Sequence, residues 1–208
     1  MDHIHTVTRL IEVFREYKRL LCLTFIGLKK AFDSVEIEAA LETLDSQRVP
    51  TQYIKILCEL YKNFTTKMSP SYNDINIDAK REVRQDDTIS LKLFTTTLQN
   101  VLRTLEWDNM GVKIDGRQLH QLRLADDIVL TTPSISQAER MLGDFDKAFG
   151  KIGFRLNLTK MIFFRNGLIS HAPYTLNGTN ISEWSSYVYL GREINMLNDL
   201  APKLSRKE

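Results

Sequence analysis

Apolar residues recur along the chain in two rhythms. Over 4–18 they fall at helical spacing, at Ile4, Val7, Leu10, Ile11 and Phe14. The run LLCLTFI (20–26) is short, continuous and apolar, which predicts a buried strand. Helical spacing returns at 36–46 (Ile37, Ala40, Leu41, Leu44), with Pro50 after its end. A further helix is predicted over 51–64, with Ile54, Leu57, Leu60, Tyr61 and Phe64 on one side. Residues 65–84 are polar, with a turn at Ser69, Pro70 and Asn73 and a strand-like alternation at Ile75, Ile77 and Ala79. The strongest helix pattern covers 88–106, through Leu93, Phe94, Leu98, Val101, Leu102 and Leu105. Short strands are predicted over 111–132, broken at Asp115-Gly116 and at Asp126-Asp127. Ser134 with Gln137 predicts a capping box ahead of a helix carrying Met141, Leu142, Phe145 and Phe149. Strands follow to about 165, then a final hairpin across Asn177-Gly178. Helices mixed with antiparallel strands predict an α+β domain, helices on one face of a sheet.

Composition narrows this picture only a little. The chain has 208 residues and a formal net charge of +2, so no strong basic balance argues for a nucleic-acid partner. Cys22 and Cys58 stand among apolar residues without metal-like spacing and are expected to be buried thiols in a reducing compartment. No apolar run is long enough to span a bilayer, and MDHIHTVTRL lacks the form of a secretory signal. A cytoplasmic or nuclear setting without a membrane is expected. Both ends are abrupt, which suggests a fragment of something longer.

The candidate chemistry begins at RLADDIVL (123–130), where two adjacent aspartates interrupt an apolar stretch. A tight turn between strands can lift both carboxylates to one edge, where they suit Mg²⁺, a hard cation that prefers oxygen. Aspartate is also common in ordinary turns, so the pair alone decides nothing. Its company does. FIGLKKAFDSV (25–35), VRQDDTISLKLF (83–94), LRLADDIVL (122–130), GFRLNLTKM (153–161) and YVYLGREI (187–194) occur in that order.

Together these segments resemble motifs A to E of reverse transcriptases, and their wording resembles the RTE-type non-LTR retrotransposons. The resemblance implies a right-hand polymerase palm whose antiparallel sheet carries the catalytic aspartates, with partial fingers and no thumb. It implies fingers-proximal segments at 1–20 and about 50–85, palm at 20–50 and 86–180, and a primer-grip hairpin at 181–208. RNA template, DNA primer and deoxynucleoside triphosphates are the implied partners. The implied chemistry is phosphoryl transfer with two Mg²⁺ ions, which neutralise charge on the attacking and leaving oxygens.

Residue by residue, the resemblance assigns Asp126 and Asp127 to metal binding and catalysis. Phe32 matches a bulky gate against a ribose 2′-hydroxyl, and Arg84 and Gln85 match nucleotide contacts. Lys160 matches a lysine proposed as general acid for the departing pyrophosphate. Tyr189, Leu190 and Gly191 match the primer grip.

The departures from the pattern are concentrated where chemistry is expected. Motif A should carry an aspartate where Gly27 stands. Glu82 and Asp86 replace the two motif B glycines, Leu91 a proline, and Leu124 an aromatic residue. Glu82 and Asp86 bring negative charge towards a bound triphosphate, a repulsion on the order of a few kcal/mol. Each change is reachable by a single transition in the genetic code, as in a decaying genomic copy. The expectation is a reverse transcriptase domain that no longer polymerises. The alternative is a nucleic-acid-binding or interaction module that kept the palm fold.

Overall fold

A computed structural model describes residues 3–29, 37–62, 65–68, 75–78 and 88–196. The order opens with α1 (His3–Glu16), β1 (Cys22–Ile26), α2 (Ile37–Ser46), α3 (Thr51–Lys62), β2 (Thr65–Met68), β3 (Ile75–Asp78) and α4 (Thr88–Arg103). Next come β4 (Val112–Ile114), β5 (Arg117–Leu119), β6 (Gln121–Leu124), β7 (Asp127–Thr132) and α5 (Ile135–Gly150). The order closes with β8 (Ile162–Arg165), β9 (Thr175–Leu176), β10 (Thr179–Asn180), β11 (Ser182–Glu183), β12 (Ser186–Tyr189) and β13 (Arg192–Asn195). The elements divide into two units, one of Met1–Leu28, Trp107–Asp144 and Leu156–Glu208, the other of Lys29–Glu106 and Phe145–Arg155.

The first unit is built on a five-stranded sheet in the order β11-β8-β1-β7-β6. All five residues of β1 are buried, because it lies at the centre with a strand on either side. It runs antiparallel to β7, from Cys22 opposite Thr132 to Ile26 opposite Ile128, and antiparallel to β8. The sheet is not wholly antiparallel: β11 joins β8 in parallel register.

Alternate residues sort to the two faces. On one face Leu23, Phe25, Val129, Ile162 and Phe164 form a core with Val7, Leu10, Ile11 and Phe14 of α1. Each fully buried side chain of this size contributes about 1.5–3 kcal/mol of gross stabilisation. Tyr189 and Ile194, from the β12–β13 hairpin, join the same core. On the other face the Thr24 hydroxyl donates to the Tyr174 hydroxyl at 3.1 Å, and Tyr174 packs edge-on against Phe163.

The second unit packs α2 with α3 and α4. Leu93, Phe94, Leu98 and Val101 supply the buried stripe of α4. Phe94 meets Phe154 edge-on, and Phe154 meets Phe149 likewise. Thr43, buried on α2, donates back to the Ala39 carbonyl and accepts from the Asn100 amide.

Several local expectations are corrected. Leu60, expected on the apolar side of α3, is 57% exposed, and Ile54, Leu57 and Tyr61 are only half-buried. Phe64 lies outside the described residues. Cys22 is buried and free, and burial pushes its thiol up to about 12; Cys58 is free but only partly buried. The capping box is half-formed: Ser134 Oγ accepts from the Gln137 amide at 3.2 Å, while Gln137 Oε1 accepts from the Gly111 amide instead. The hairpin at Asn177-Gly178 forms, with both residues at positive φ, but it is not the last. The β12–β13 hairpin follows it, turning at Leu190 (φ 49°) and Gly191 (φ 78°).

Among the described residues no helix is long and apolar enough to cross a membrane.

Candidate active site

The aspartates stand at a tight turn between two strands. β6 and β7 pair so that Leu124 faces Asp127, leaving Ala125 and Asp126 as a two-residue turn. Ala125 adopts φ 52° there, a conformation that favours glycine. The turn lifts Asp126 and Asp127 to the end of β7, and β7 is bonded to β1 up to the Ile26–Ile128 pair. One further step along that antiparallel register brings Gly27 level with Asp127.

A third segment closes the site. The Asn157 amide donates to the Gly27 carbonyl at 2.8 Å, and Leu28 bridges Leu156. The Lys160 amide then folds back onto the Asn157 carbonyl at 3.0 Å. This knot delivers the lysine to the same place. A Cβ built on Gly27 would lie 3.4 Å from Lys160 Cβ.

Gly27, Asp126, Asp127 and Lys160 accordingly line one hollow of about 170 Å³, with Phe25, Tyr187 and Tyr189 forming an aromatic wall. The Phe25 ring is 5.2 Å from that of Tyr187 and 5.3 Å from that of Tyr189. The wall follows from strand periodicity, since Tyr187 and Tyr189 are two apart on β12 and share a face. Tyr187 and Phe25 were not singled out from the sequence. The alternation of YVY and of FIG was the available signal.

The electrostatics are those of acids taken partly out of water. Burial, and then the charge of neighbouring Asp126, hold the Asp127 carboxyl above the usual carboxylate range. Burial first, and then the Asp127 charge, raise the Tyr187 hydroxyl. The same causes, with Tyr187 added, push Tyr189 up to about 12.

Among the described residues the donor set does not fit a pair of divalent ions. Two carboxylates offer hard oxygens, but Gly27 has no side chain to supply a third. Among the described residues no group of three or more acidic, histidine or cysteine side chains is placed to hold a metal.

The structure thus brings together Gly27, Asp126, Asp127, Lys160 and Tyr189. Leu190 and Gly191 form the adjoining hairpin turn. Leu124, where the family pattern has an aromatic residue, is 42% exposed. Phe32, Glu82, Arg84, Gln85 and Asp86 lie outside the described residues. Of the rest of motif B, Ser90 is buried, within 3.4 Å of the Tyr61 hydroxyl, and Leu91 is exposed.

Comparison with known proteins places the chain in a family. The family model for reverse transcriptase (RNA-dependent DNA polymerase) matches residues 1–194. A transposon-derived protein of Caenorhabditis elegans is 32% identical over 100 residues, covering 46% of this chain and 36% of its own. The Pol polyprotein of the type-1 retrotransposable element R2 of Nasonia vitripennis is 25% identical over 198 residues, covering 89% of this chain and 19% of its own. The chain therefore spans about a third and a fifth of these relatives. RTE type is a finer assignment than they carry. Among solved structures, telomerase from Candida tropicalis in complex with a fragment of telomeric RNA matches 95% of this chain and 33% of its own, with a TM-score of 0.63 at 13% identity, a likeness of fold. With a fold like that of the right-hand polymerases and the family match over residues 1–194, the chain belongs to the reverse transcriptase (RNA-dependent DNA polymerase) family.

Proposed function

We propose that this domain descends from an RNA-directed DNA polymerase and has lost the chemistry. The observation that carries the reading is the hollow itself: Asp126 and Asp127 face a glycine, and no third acid stands near them among the described residues. Reverse transcriptases as a family use divalent ions, and the ion meant for this site is Mg²⁺. One carboxylate fewer weakens its binding and removes transition-state stabilisation of several kcal/mol.

In this reading Asp126 and Asp127 are the surviving metal ligands, and Lys160 is the surviving proton donor for pyrophosphate. Phe32, Arg84 and Gln85 are nucleotide contacts, and Tyr189, Leu190 and Gly191 the primer grip. Residues 20–50 and 86–180 are palm, 1–20 and about 50–85 belong towards the fingers, and 181–208 lead out through the primer-grip hairpin. RNA template, DNA primer and nucleotides are the ancestral partners. The RNA-bound telomerase of similar fold supports a nucleic-acid partner. The motif wording favours RTE type, and a cytoplasmic or nuclear setting belongs to the same reading.

The second reading keeps the fold and drops the chemistry for binding alone. Its test is a salt-dependent affinity for RNA–DNA hybrid. The test of the first is primer extension with Mg²⁺ and with Mn²⁺, beside a chain repaired at Gly27, Glu82 and Asp86. The unmodified chain is expected to give no product.

A further inference from the structure

Tyr189 is 3% exposed, and its hydroxyl has no hydrogen-bond partner among the described residues. A hydroxyl removed from water and left unpaired is a net cost to a fold, and native proteins keep few of them. This residue lines the same hollow as Gly27. Strand alternation puts Gly27 on the face of Phe25, whose ring lies 5.3 Å from that of Tyr189.

Nothing in the backbone demands glycine at this position. Gly27 is not at a left-handed φ, and a Cβ there would meet its nearest neighbour, Lys160 Cβ, at ordinary contact distance. The position therefore has room for a side chain, in a hollow where a buried hydroxyl lacks an acceptor. Asp127 does not fill that need, although its charge is felt at Tyr189.

We propose that Tyr189 is a positioning residue for an acidic side chain at position 27, its hydroxyl donating to the carboxylate and fixing it towards the Asp126–Asp127 turn. The unpaired hydroxyl is what remains of that pair. This rests on the reading that Gly27 stands where an aspartate belongs.

The test is a double-mutant cycle in metal-free buffer with chelator, on the full chain, Gly27→Asp, Tyr189→Phe and the double variant. Tyr189→Phe is expected to leave the unfolding midpoint unchanged or higher with Gly27, and to lower it by about 3 °C or more with Asp at 27. Should Gly27→Asp fail to fold, Gly27→Asn supplies an uncharged acceptor of the same shape for the same cycle. A second readout is Mn²⁺ affinity by electron spin resonance. Tyr189→Phe is expected to weaken it about tenfold in the Gly27→Asp chain. Equal midpoint shifts in both backgrounds, or an unchanged Mn²⁺ affinity, overturn the proposal. Neither readout uses primer or nucleotide, so this failure is separate from any failure of the polymerase reading.

Discussion

The amide of Asn157 and the carbonyl of Gly27 are joined at 2.8 Å, and this bond, with the Leu28–Leu156 bridge, ties the lysine-bearing segment to the end of the central strand. Glycine offers a cation no side-chain oxygen there. On the proposed reading, metal chemistry requires a carboxylate at position 27, and Glu82 and Asp86 remain as further departures. Gly27→Asp alone is expected to give no primer extension at physiological Mg²⁺. A gel-resolved extension assay checks this, and product from the single variant would show that motif B is tolerated as it stands.

Ala125 holds the aspartate turn at φ 52°, which an L side chain adopts at a cost. Ala125→Gly relieves that strain against a smaller rise in the freedom of the unfolded chain. The expected gain is about 0.5–1 kcal/mol, or about 1–4 °C in unfolding midpoint. A calorimetric scan checks it, and a lower midpoint would mean that the turn is not strained.

Asp127 makes stability depend on pH in a definite direction. Its carboxyl is held above the usual range, so the folded chain binds the proton more tightly than the unfolded chain. That contribution is complete when both states are protonated, and is lost as pH rises from the ordinary carboxylate range through the raised value. Asp127→Asn should accordingly be more stable than the parent at neutral pH. Its advantage should shrink as pH falls into the acid range. Midpoints of the two proteins against pH test this, and an advantage that grows in acid would contradict it.

The site is mounted on the core, and Phe25 is the junction. It is 3% exposed and touches the rings of Phe164, Tyr187 and Tyr189. Phe25→Ala is expected to cost about 3–5 kcal/mol, read by chemical denaturation. A loss below about 1 kcal/mol would mean that the aromatic wall stands without it.

Much of this was legible along the chain because strong periodicity carried it. The stripe Val7, Leu10, Ile11 and Phe14 gave α1, the run at 20–26 gave β1, and the aspartate break gave the β6–β7 turn. The failures have physical causes. Leu60 keeps helical spacing but is exposed, with no covering neighbour among the described residues, which no local pattern reveals. Gln137 had the right residue type for a reciprocal cap, but the Gly111 amide claimed its oxygen from 26 positions away. The parallel partner β11 is two residues long, too short to show a period. The hollow was foreseeable as a meeting of Gly27 with Asp126 and Asp127. Its aromatic wall was not, because Tyr187 reads as any strand residue until β12 is laid beside Phe25.

The most direct measurement is primer extension by the unmodified, purified chain on an RNA template, with Mg²⁺ and separately with Mn²⁺. Without a carboxylate at position 27, the account predicts no product with either ion. Template-dependent extension by the chain as it stands would contradict it.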